Sequence, residues 1–282
     1  MTETPDQAAA PTICFIGGGN MASAIIGGLI AAGHPASAIR VATPGEARRQ
    51  ALAERFAVVT APDNLAMARG ADVVVLAVKP QIMAAVCKEL AGLVDAANPL
   101  VISVAAGIRV GDMQRWLGCP AAVVRAMPNT PSLIGAGASA VFASQQVTDA
   151  QRTVAEQLLQ AVGMVTWLPD ESLIDIATAT SGSGPAYFFL LMETLITAAR
   201  RHGLPDDCAR ELVIATALGA ARMAHVGAES PDALRTSVTS PGGTTEQAIH
   251  TLQHAGFDQL IDKALLAATD RARELGDRYG EQ

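Results

Sequence analysis

Short apolar runs alternate with stretches of helical periodicity along the first part of the chain. The expected strands lie at residues 12–16, 39–42, 58–59, 72–78, 100–104 and 123–127, with Phe142 and Val165 in two further strands separated by a helix. The run at 72–78, DVVVLAV, is apolar at successive positions, which is typical of a parallel strand buried on both faces. Residues 20–32 and 44–55 have helical spacing. This rhythm predicts an α/β domain with a doubly wound, Rossmann-type sheet.

The strand signals stop after Pro169. Three long helices are expected beyond it, at residues 187–202, 206–225 and 257–279. The middle one is apolar on most sides, which is typical of a helix buried all round. We therefore expect a flexible tail at residues 1–11, a nucleotide-binding domain at 12–169, and an all-helical substrate-binding and dimerisation domain at 170–282.

Composition and charge narrow the class of protein. The chain of 282 residues is 50% hydrophobic and carries a net charge of −7, which argues against a nucleic-acid surface. Its four cysteines, Cys14, Cys87, Cys119 and Cys208, form no C-x-x-C pair, so free thiols in a reducing compartment are expected. Residues 1–11 lack a basic-then-apolar leader, and no apolar run reaches the roughly 20 residues that span a bilayer. We expect a cytoplasmic protein.

A glycine-rich turn follows the first predicted strand and opens a helix. The sequence IGGGNMA at residues 16–22 has the form G-x-G-x-x-A. Gly17 suits a tight turn, Gly19 allows a pyrophosphate to approach the backbone, and Ala22 allows close packing of helix on strand. Glycine turns also occur without ligands, but the flanking strand and helix favour a dinucleotide site.

The type of cofactor is indicated by the absence of an acidic residue at the end of the second predicted strand. Enzymes that use NAD usually place Asp or Glu at the end of the second strand to bind the ribose hydroxyl. This chain has Thr43 there, followed by Arg48 and Arg49, which favours NADPH, with NADH as the alternative. Glu46 argues the other way, and the arginines are also compatible with solvated helix positions.

A second glycine loop, SPGGTT at residues 240–245, precedes another helix. Free amides and the helix dipole make such a start suitable for a carboxylate. Thr244 and Gln247 have the spacing of a capping box, so a capped turn without a ligand is the alternative. Glu246 weakens the case for an anion site unless its side chain points away.

A metal site is not expected. His250 and His254 share the i,i+4 spacing of a helical metal pair, but the Glu of H-E-x-x-H and an obvious third ligand are missing.

Six segments, in order, resemble pyrroline-5-carboxylate reductase. They are FIGGGNMA at 15–22, AVKPQ at 77–81, SVAAGI at 103–108, RAMPNTP at 125–131, SGSGPAY at 181–187 and SPGGTT at 240–245. The resemblance covers about residues 12–275, and its last three motifs are highly specific together. It implies reduction of the cyclic imine 1-pyrroline-5-carboxylate to proline with NADPH or NADH, by a homodimer that commonly assembles into a decamer.

The resemblance also implies the site residues. The cofactor contacts carried over are Ile16, Gly17, Gly18, Gly19, Asn20, Met21, Thr43, Asn64, Ala77, Val78, Lys79, Pro80, Val104, Ala105 and Ala106. The substrate contacts are Ser240, Gly242, Gly243, Thr244 and Thr245. Thr245 is the expected catalytic contact, with its hydroxyl on the ring nitrogen.

Three other functions compete with this one. A β-hydroxyacid dehydrogenase needs a lysine on its interdomain helix, and residues 187–202 contain none. A reductase of another cyclic imine is harder to exclude. A regulator that senses NAD(P)H would need the first glycine loop but not the hydroxyl-rich second one.

Overall fold

The computed structural model describes residues 10–281, in which one sheet has eight strands. They are Ile13–Ile16 (β1), Ile39–Ala42 (β2), Val59–Ala61 (β3), Val73–Leu76 (β4), Leu100–Ser103 (β5), Val123–Met127 (β6), Gly137–Ala143 (β7) and Gly163–Trp167 (β8). Their spatial order is β3-β2-β1-β4-β5-β6-β7-β8, and β6 pairs with β7 antiparallel. The first six strands have the 3-2-1-4-5-6 order of dinucleotide-binding folds.

Twelve α-helices accompany the sheet in the described part of the chain. They are Asn20–Ala31 (α1), Glu46–Phe56 (α2), Asn64–Ala68 (α3), Met83–Ala97 (α4), Val110–Leu117 (α5), Asp149–Gln160 (α6), Leu173–Ala177 (α7), Gly184–Arg201 (α8), Asp206–Val226 (α9), Pro231–Ser237 (α10), Thr244–His254 (α11) and Phe257–Gly280 (α12). None of these described helices is both long and apolar enough to cross a membrane.

Successive side chains of the strands enter two different cores. On one face, Phe15 and Val75 pack with residues of α1, α2 and α6. On the other face, Cys14 and Val74 pack with α4 and α5. Alternation along a strand explains this division, since neighbouring residues point to opposite faces. The predicted doubly wound sheet is confirmed.

The predicted strands agree with the structure except at their ends. The apolar run at 72–78 outlasts β4, which ends at Leu76. The Ala77 amide still bonds to the Ile16 carbonyl at 2.8 Å, and the chain then turns toward a 3-10 helix at Pro80–Ile82. Apolar residues continue past the ladder because Ala77 and Val78 still pack against the two cores, one on each face of the sheet. The antiparallel direction of β7 was not predicted.

Contacts divide the described chain into two compact units. The sheet unit runs to Ser183 and includes the chain again from Ala268, and the helical unit is Gly184–Ala267. The assignment of domains with a boundary near Pro169 stays a prediction. Of the expected tail at 1–11, residues 1–9 lie outside the described residues.

The helical unit buries few of its side chains. Along α9, which was expected to be buried all round, Ala209 is the buried residue. Leu212, Leu218 and Met223 are each more than half exposed, at 57%, 52% and 52%. The helix itself lies where it was predicted, but this unit alone does not cover its apolar surface.

Candidate active site

Three loops meet at the carboxyl edge of the sheet, after β1, β4 and β5. The Ala77 amide donates to the Ile16 carbonyl at 2.8 Å, and the Val104 amide donates to the Leu76 carbonyl at 3.1 Å. The segments 16–21, 77–80 and 104–106 therefore leave adjacent strands at the same edge. In open α/β sheets, ligands bind in the crevice outside this edge.

The three glycines of the first loop lie in different steric environments. Gly17 has φ +102°, and a Cβ there would lie 2.5 Å from the Ala77 carbonyl oxygen. A Cβ on Gly18 would lie 2.8 Å from Leu52 Cδ1. At Gly19, by contrast, no heavy atom lies within 4 Å of the Cβ position. Gly19 thus leaves open space where a ligand can approach the backbone.

The start of α1 suits a pyrophosphate. Gly19 is the N-cap, no side chain caps the helix, and the first turn contains no acidic residue. The amides that follow, at Asn20 and Met21, have no intrahelical acceptor and lie at the positive end of the helix dipole. Uncapped amides beside open space fit the dinucleotide that the sequence predicts.

The two arginines after β2 have different environments. The guanidinium of Arg49 donates to the carbonyls of Thr43 and Pro44, at 2.9 and 2.6 Å, so it fixes the loop. Arg48 is exposed, and its Nη2 donates to Asn20 Oδ1 at 3.5 Å, across the glycine turn. Thr43 is buried, with its methyl group against Gly18. Arg48 is therefore the better placed cation for a ribose phosphate.

The remaining predicted cofactor residues lie along the same edge. Asn64 begins α3 just beyond β3, and its Nδ2 donates to Glu89 at 2.8 Å. Lys79 is exposed, directly before the 3-10 helix that begins at Pro80. Ala105 is buried, whereas Val104 and Ala106 are partly exposed.

The predicted capping box at the second glycine loop is wrong. The N-cap of α11 is Gly243, so Thr244 is already the first helical residue and caps nothing. The carboxylate of Glu246 instead accepts a hydrogen bond from the Gly242 amide at 2.8 Å. The side chain of Glu246 therefore turns back onto the loop and does not point away.

The internal bonds of this loop limit which amides can hold a ligand. The Gly243 amide donates to the Ser240 carbonyl at 3.0 Å, and the Gly242 amide is held by Glu246. The amides of Thr244 and Thr245 belong to the first helical turn, where no intrahelical carbonyl reaches them. Thr245 is partly buried. An anion at this loop would therefore be held at the threonines and not at the glycines.

Comparison with known proteins assigns the family. Residues 171–275 match the family model of pyrroline-5-carboxylate reductase dimerisation, and residues 12–107 match that of coenzyme F420-dependent NADP oxidoreductase. The pyrroline-5-carboxylate reductase of Pseudomonas aeruginosa is 49% identical over 96% of this chain and 99% of its own length. The chain belongs to the pyrroline-5-carboxylate reductase family. The resemblance inferred from the six motifs is confirmed.

Solved structures of this family have the same fold. A pyrroline-5-carboxylate reductase from Coxiella burnetii superposes with a TM-score of 0.92 at 47% identity, covering 94% of this chain and 98% of its own. The Plasmodium falciparum pyrroline carboxylate reductase, solved with NADP bound, gives 0.83 at 27% identity, with 95% and 99% covered.

Arg125, the first residue of the family motif RAMPNTP, lies in a buried ionic cluster that was not predicted. Arg125 on β6 is 4% exposed and lies 3.0 Å from Glu171 and 3.4 Å from Asp175. Glu171 also accepts from the Val110 amide at the start of α5, at 2.8 Å. The cluster joins β6, α5 and α7. An arginine inside an otherwise apolar strand was the available signal for it.

Asn129 and Tyr187, in the RAMPNTP and SGSGPAY motifs, also lacked a predicted role. The side chain of Asn129 donates to the Ser181 carbonyl at 3.0 Å and accepts from the Ala138 amide at 2.9 Å. Ser181 lies in a π-helical turn, Thr178–Gly182, and such turns are frequent at functional sites. The Tyr187 hydroxyl is buried and has no hydrogen-bond partner among the described residues.

The titratable groups among residues 10–281 form no metal cluster, and two of the four cysteines are poor nucleophiles. Burial raises the pKa of the Cys14 and Cys87 thiols to about 12, so they are protonated near neutral pH. The rings of His250 and His254 have centroids 4.0 Å apart and are tilted by 43° to each other. Within residues 10–281, no group of three or more His, Cys, Asp or Glu could hold a metal ion.

Proposed function

We propose that this chain reduces 1-pyrroline-5-carboxylate to L-proline with NADPH, the last step of proline biosynthesis. The observation that carries the proposal is that a member of this family has two separate glycine-rich helix starts. The first is open at Gly19 and suits a dinucleotide, and the second starts α11 with no side-chain cap at two threonines, of which Thr245 is partly buried, and suits a small imino acid. A protein that only senses NAD(P)H would not need the second loop.

The first loop and its two neighbours would hold the cofactor. The residues in this role are those named from the family: Ile16 to Met21, Thr43, Asn64, Ala77 to Pro80, and Val104 to Ala106. When bound, reduced NADPH supplies a hydride for the imine carbon. The chain contributes positioning, which can be worth roughly 7–11 kcal/mol when reacting atoms are held at near-attack distance.

The substrate loop would use its threonines. The amides of Thr244 and Thr245 hold the carboxylate, and the Thr245 hydroxyl hydrogen-bonds the ring nitrogen. Ser240, Gly242 and Gly243 shape the loop through the bonds of their own backbone. The ring nitrogen needs a proton when its carbon receives hydride, and Thr245 or a bound water places that proton.

Assembly and location complete the proposal. The exposed leucines of α9 support pairing of helical units in a homodimer, since obligate interfaces resemble a domain core. We further propose that dimers assemble into a decamer. The described cysteines are free, which supports a reducing, cytoplasmic location.

The deciding experiment follows NADPH oxidation at 340 nm with pyrroline-5-carboxylate, with NADH in place of NADPH, and with the six-membered cyclic imine. We expect turnover to be fastest with the five-membered imine and NADPH. Preference for the six-membered imine would change the substrate, and binding of NADPH without turnover of either imine would favour a sensor.

The substitution Thr245→Ala tests the substrate loop. It removes one hydroxyl and leaves the loop amides. Losing a hydrogen bond to a charged group costs about 1.5–3 kcal/mol, or roughly 10- to 150-fold in kcat/KM for the imine. The dissociation constant of NADPH, measured by fluorescence titration, should not change. Unchanged turnover, or an equal loss of NADPH binding, would refute this role of Thr245.

A further inference from the structure

The last turns of α12 belong to the sheet unit and pack against its core through one face. The buried residues of this helix are Thr269, Ala272, Gly276 and Tyr279, spaced three or four apart. Tyr279 belongs to the hydrophobic core that contains β4, α4 and α5, and Leu275 packs against the same core. Helix periodicity accounts for the pattern, because such residues lie on one side of a helix.

The ring of Tyr279 closes on the chain just after the 104–106 segment. Gly107 has φ +75°, and a Cβ there would lie 3.2 Å from Tyr279 Cδ2 and 3.5 Å from the Leu275 Cβ. A glycine is therefore required at this point for two reasons, the left-handed backbone and the close approach of the ring. The ring therefore packs on the backbone at Gly107, directly after the proposed cofactor segment 104–106.

The hydroxyl of Tyr279 reaches the other cofactor segment. Gln81 follows Pro80 directly, and its Nε2 donates to the Tyr279 hydroxyl at 3.1 Å. One side chain thus contacts the residues that follow both the 77–80 and the 104–106 segments. These two segments leave adjacent strands, β4 and β5.

The end of α12 is itself held in place by α5. Asp277 pairs with Arg109 at 2.7 Å, and the guanidinium of Arg115 donates to the Gly280 carbonyl. Gly276 lies against Arg109, since a Cβ there would be 3.0 Å from Nη2. Tyr279 therefore sits on a helix end whose position is fixed by several contacts.

We propose that Tyr279 is a positioning residue for NADPH, which holds the two loops after β4 and β5 in the arrangement that binds the cofactor. Tyr279 does not touch the cofactor; it acts through Gln81 and Gly107. This inference rests on the proposed cofactor site and adds a group that lies far from that site along the chain.

The test uses Tyr279→Phe and Gln81→Ala, singly and together, with Arg271→Ala, an exposed position of the same helix, as the control. Tyr279→Phe keeps the ring and loses the bond to Gln81. We expect each single variant to weaken NADPH binding roughly 2- to 12-fold, the range for one hydrogen bond. The double variant should bind NADPH no more weakly than the more affected of the two single variants, because both substitutions remove the same bond. The KM for the imine at saturating NADPH should not move.

A purely structural role would give a different result. Thermal midpoints would fall in Tyr279→Phe while the dissociation constant of NADPH stayed unchanged, and that outcome would overturn the inference. So would single effects that multiply in the double variant, since the two residues would then act independently. Failure of the unsubstituted protein to bind NADPH would instead refute the proposed cofactor site.

Discussion

The sheet unit buries its large apolar side chains, whereas the helical unit leaves many of its own exposed. In the sheet unit, Phe15, Ile25 and Leu76 are fully buried between strands and helices. In the helical unit, Phe188, Phe189 and Leu190 are exposed by 64%, 63% and 63%, and Ala209 is the one hydrophobic residue of the described helical unit that is buried. The first unit completes its core within one chain. The second has the composition of a core but needs further surface to form one, as obligate dimers do.

Charged residues are also of two kinds, enclosed in the sheet unit and exposed on α12. The sheet unit encloses the Arg125 cluster, in which a nearly unexposed cation has two carboxylate partners. The charged pairs of α12, such as Arg271 with Glu274, are exposed and make a small contribution to stability. An ion pair therefore contributes to the stability of the fold mainly where it is enclosed by the protein.

The largest effect should come from a charge on α9. We expect Leu218→Glu to raise the dissociation constant of the dimer by about 1,000- to 10,000-fold, because each protomer would bury an unpaired carboxylate in the interface. Sedimentation velocity at micromolar concentration measures this. Ala96→Glu, which adds the same charge at an exposed position of the sheet unit, should leave assembly intact. An intact Leu218→Glu dimer would show that α9 is not in the interface.

Next in size is the loss of the buried cation. Arg125→Met should lower the free energy of unfolding by about 3–5 kcal/mol, because Glu171 and Asp175 lose their partner inside the protein. Urea denaturation measures the change. Arg271→Met breaks an exposed pair and should cost less than about 1 kcal/mol. Equal costs for the two variants would contradict the distinction between enclosed and exposed charges.

Two glycines of the first loop should separate folding from binding. Gly17→Ala should destabilise the protein by about 1–3 kcal/mol, since its φ is +102° and the Ala77 carbonyl blocks the new methyl group. Gly19→Ala should change stability by less than about 0.5 kcal/mol, because its φ is −71° and the space beside it is open. It should nevertheless weaken NADPH binding. Unfolding curves and NADPH titrations on both variants test this, and identical behaviour would argue against an approach at Gly19.

The smallest effect expected is a change of cofactor preference. Thr43→Asp places a carboxylate at the end of β2, where it should repel the 2′-phosphate and accept from a ribose hydroxyl. We expect the ratio of kcat/KM for NADPH over NADH to fall by about 10-fold, or ~1.4 kcal/mol. Thr43→Ser is the matched control and should keep the preference. A protein that prefers NADH before substitution would remove the basis of this prediction.

The elements of the sheet unit can be predicted well from local sequence. The run at 72–78 and the turn at 16–22 are read from neighbouring residues, because a buried parallel strand and a tight glycine turn are set by short-range sterics. The start of α11 was misplaced by one residue for a related reason. A threonine at 244 and a glutamine at 247 fit a capping box, but Gly243 takes the N-cap, and spacing alone does not choose between adjacent registers.

Long-range partners were not predictable in this way. Arg125 meets Glu171 and Asp175 across 46 and 50 residues of sequence, and Gln81 meets Tyr279 across 198. Nothing local marks such pairs, since they depend on which helix ends come together after folding. The family motifs pointed to RAMPNTP as a unit, but not to the separate tasks of Arg125 and Asn129 within it.

The order of the units along the chain has a consequence for synthesis. The sheet unit is discontinuous: it is interrupted after Ser183 and resumes at Ala268. A ribosome therefore makes the whole helical unit before Tyr279, which belongs to the core of the sheet unit, exists. Domains generally fold as units, N-terminal first, during translation. Here the sheet can form early, but its core stays open beside α5 until the last helix emerges, by which time the apolar helices are already available to another copy.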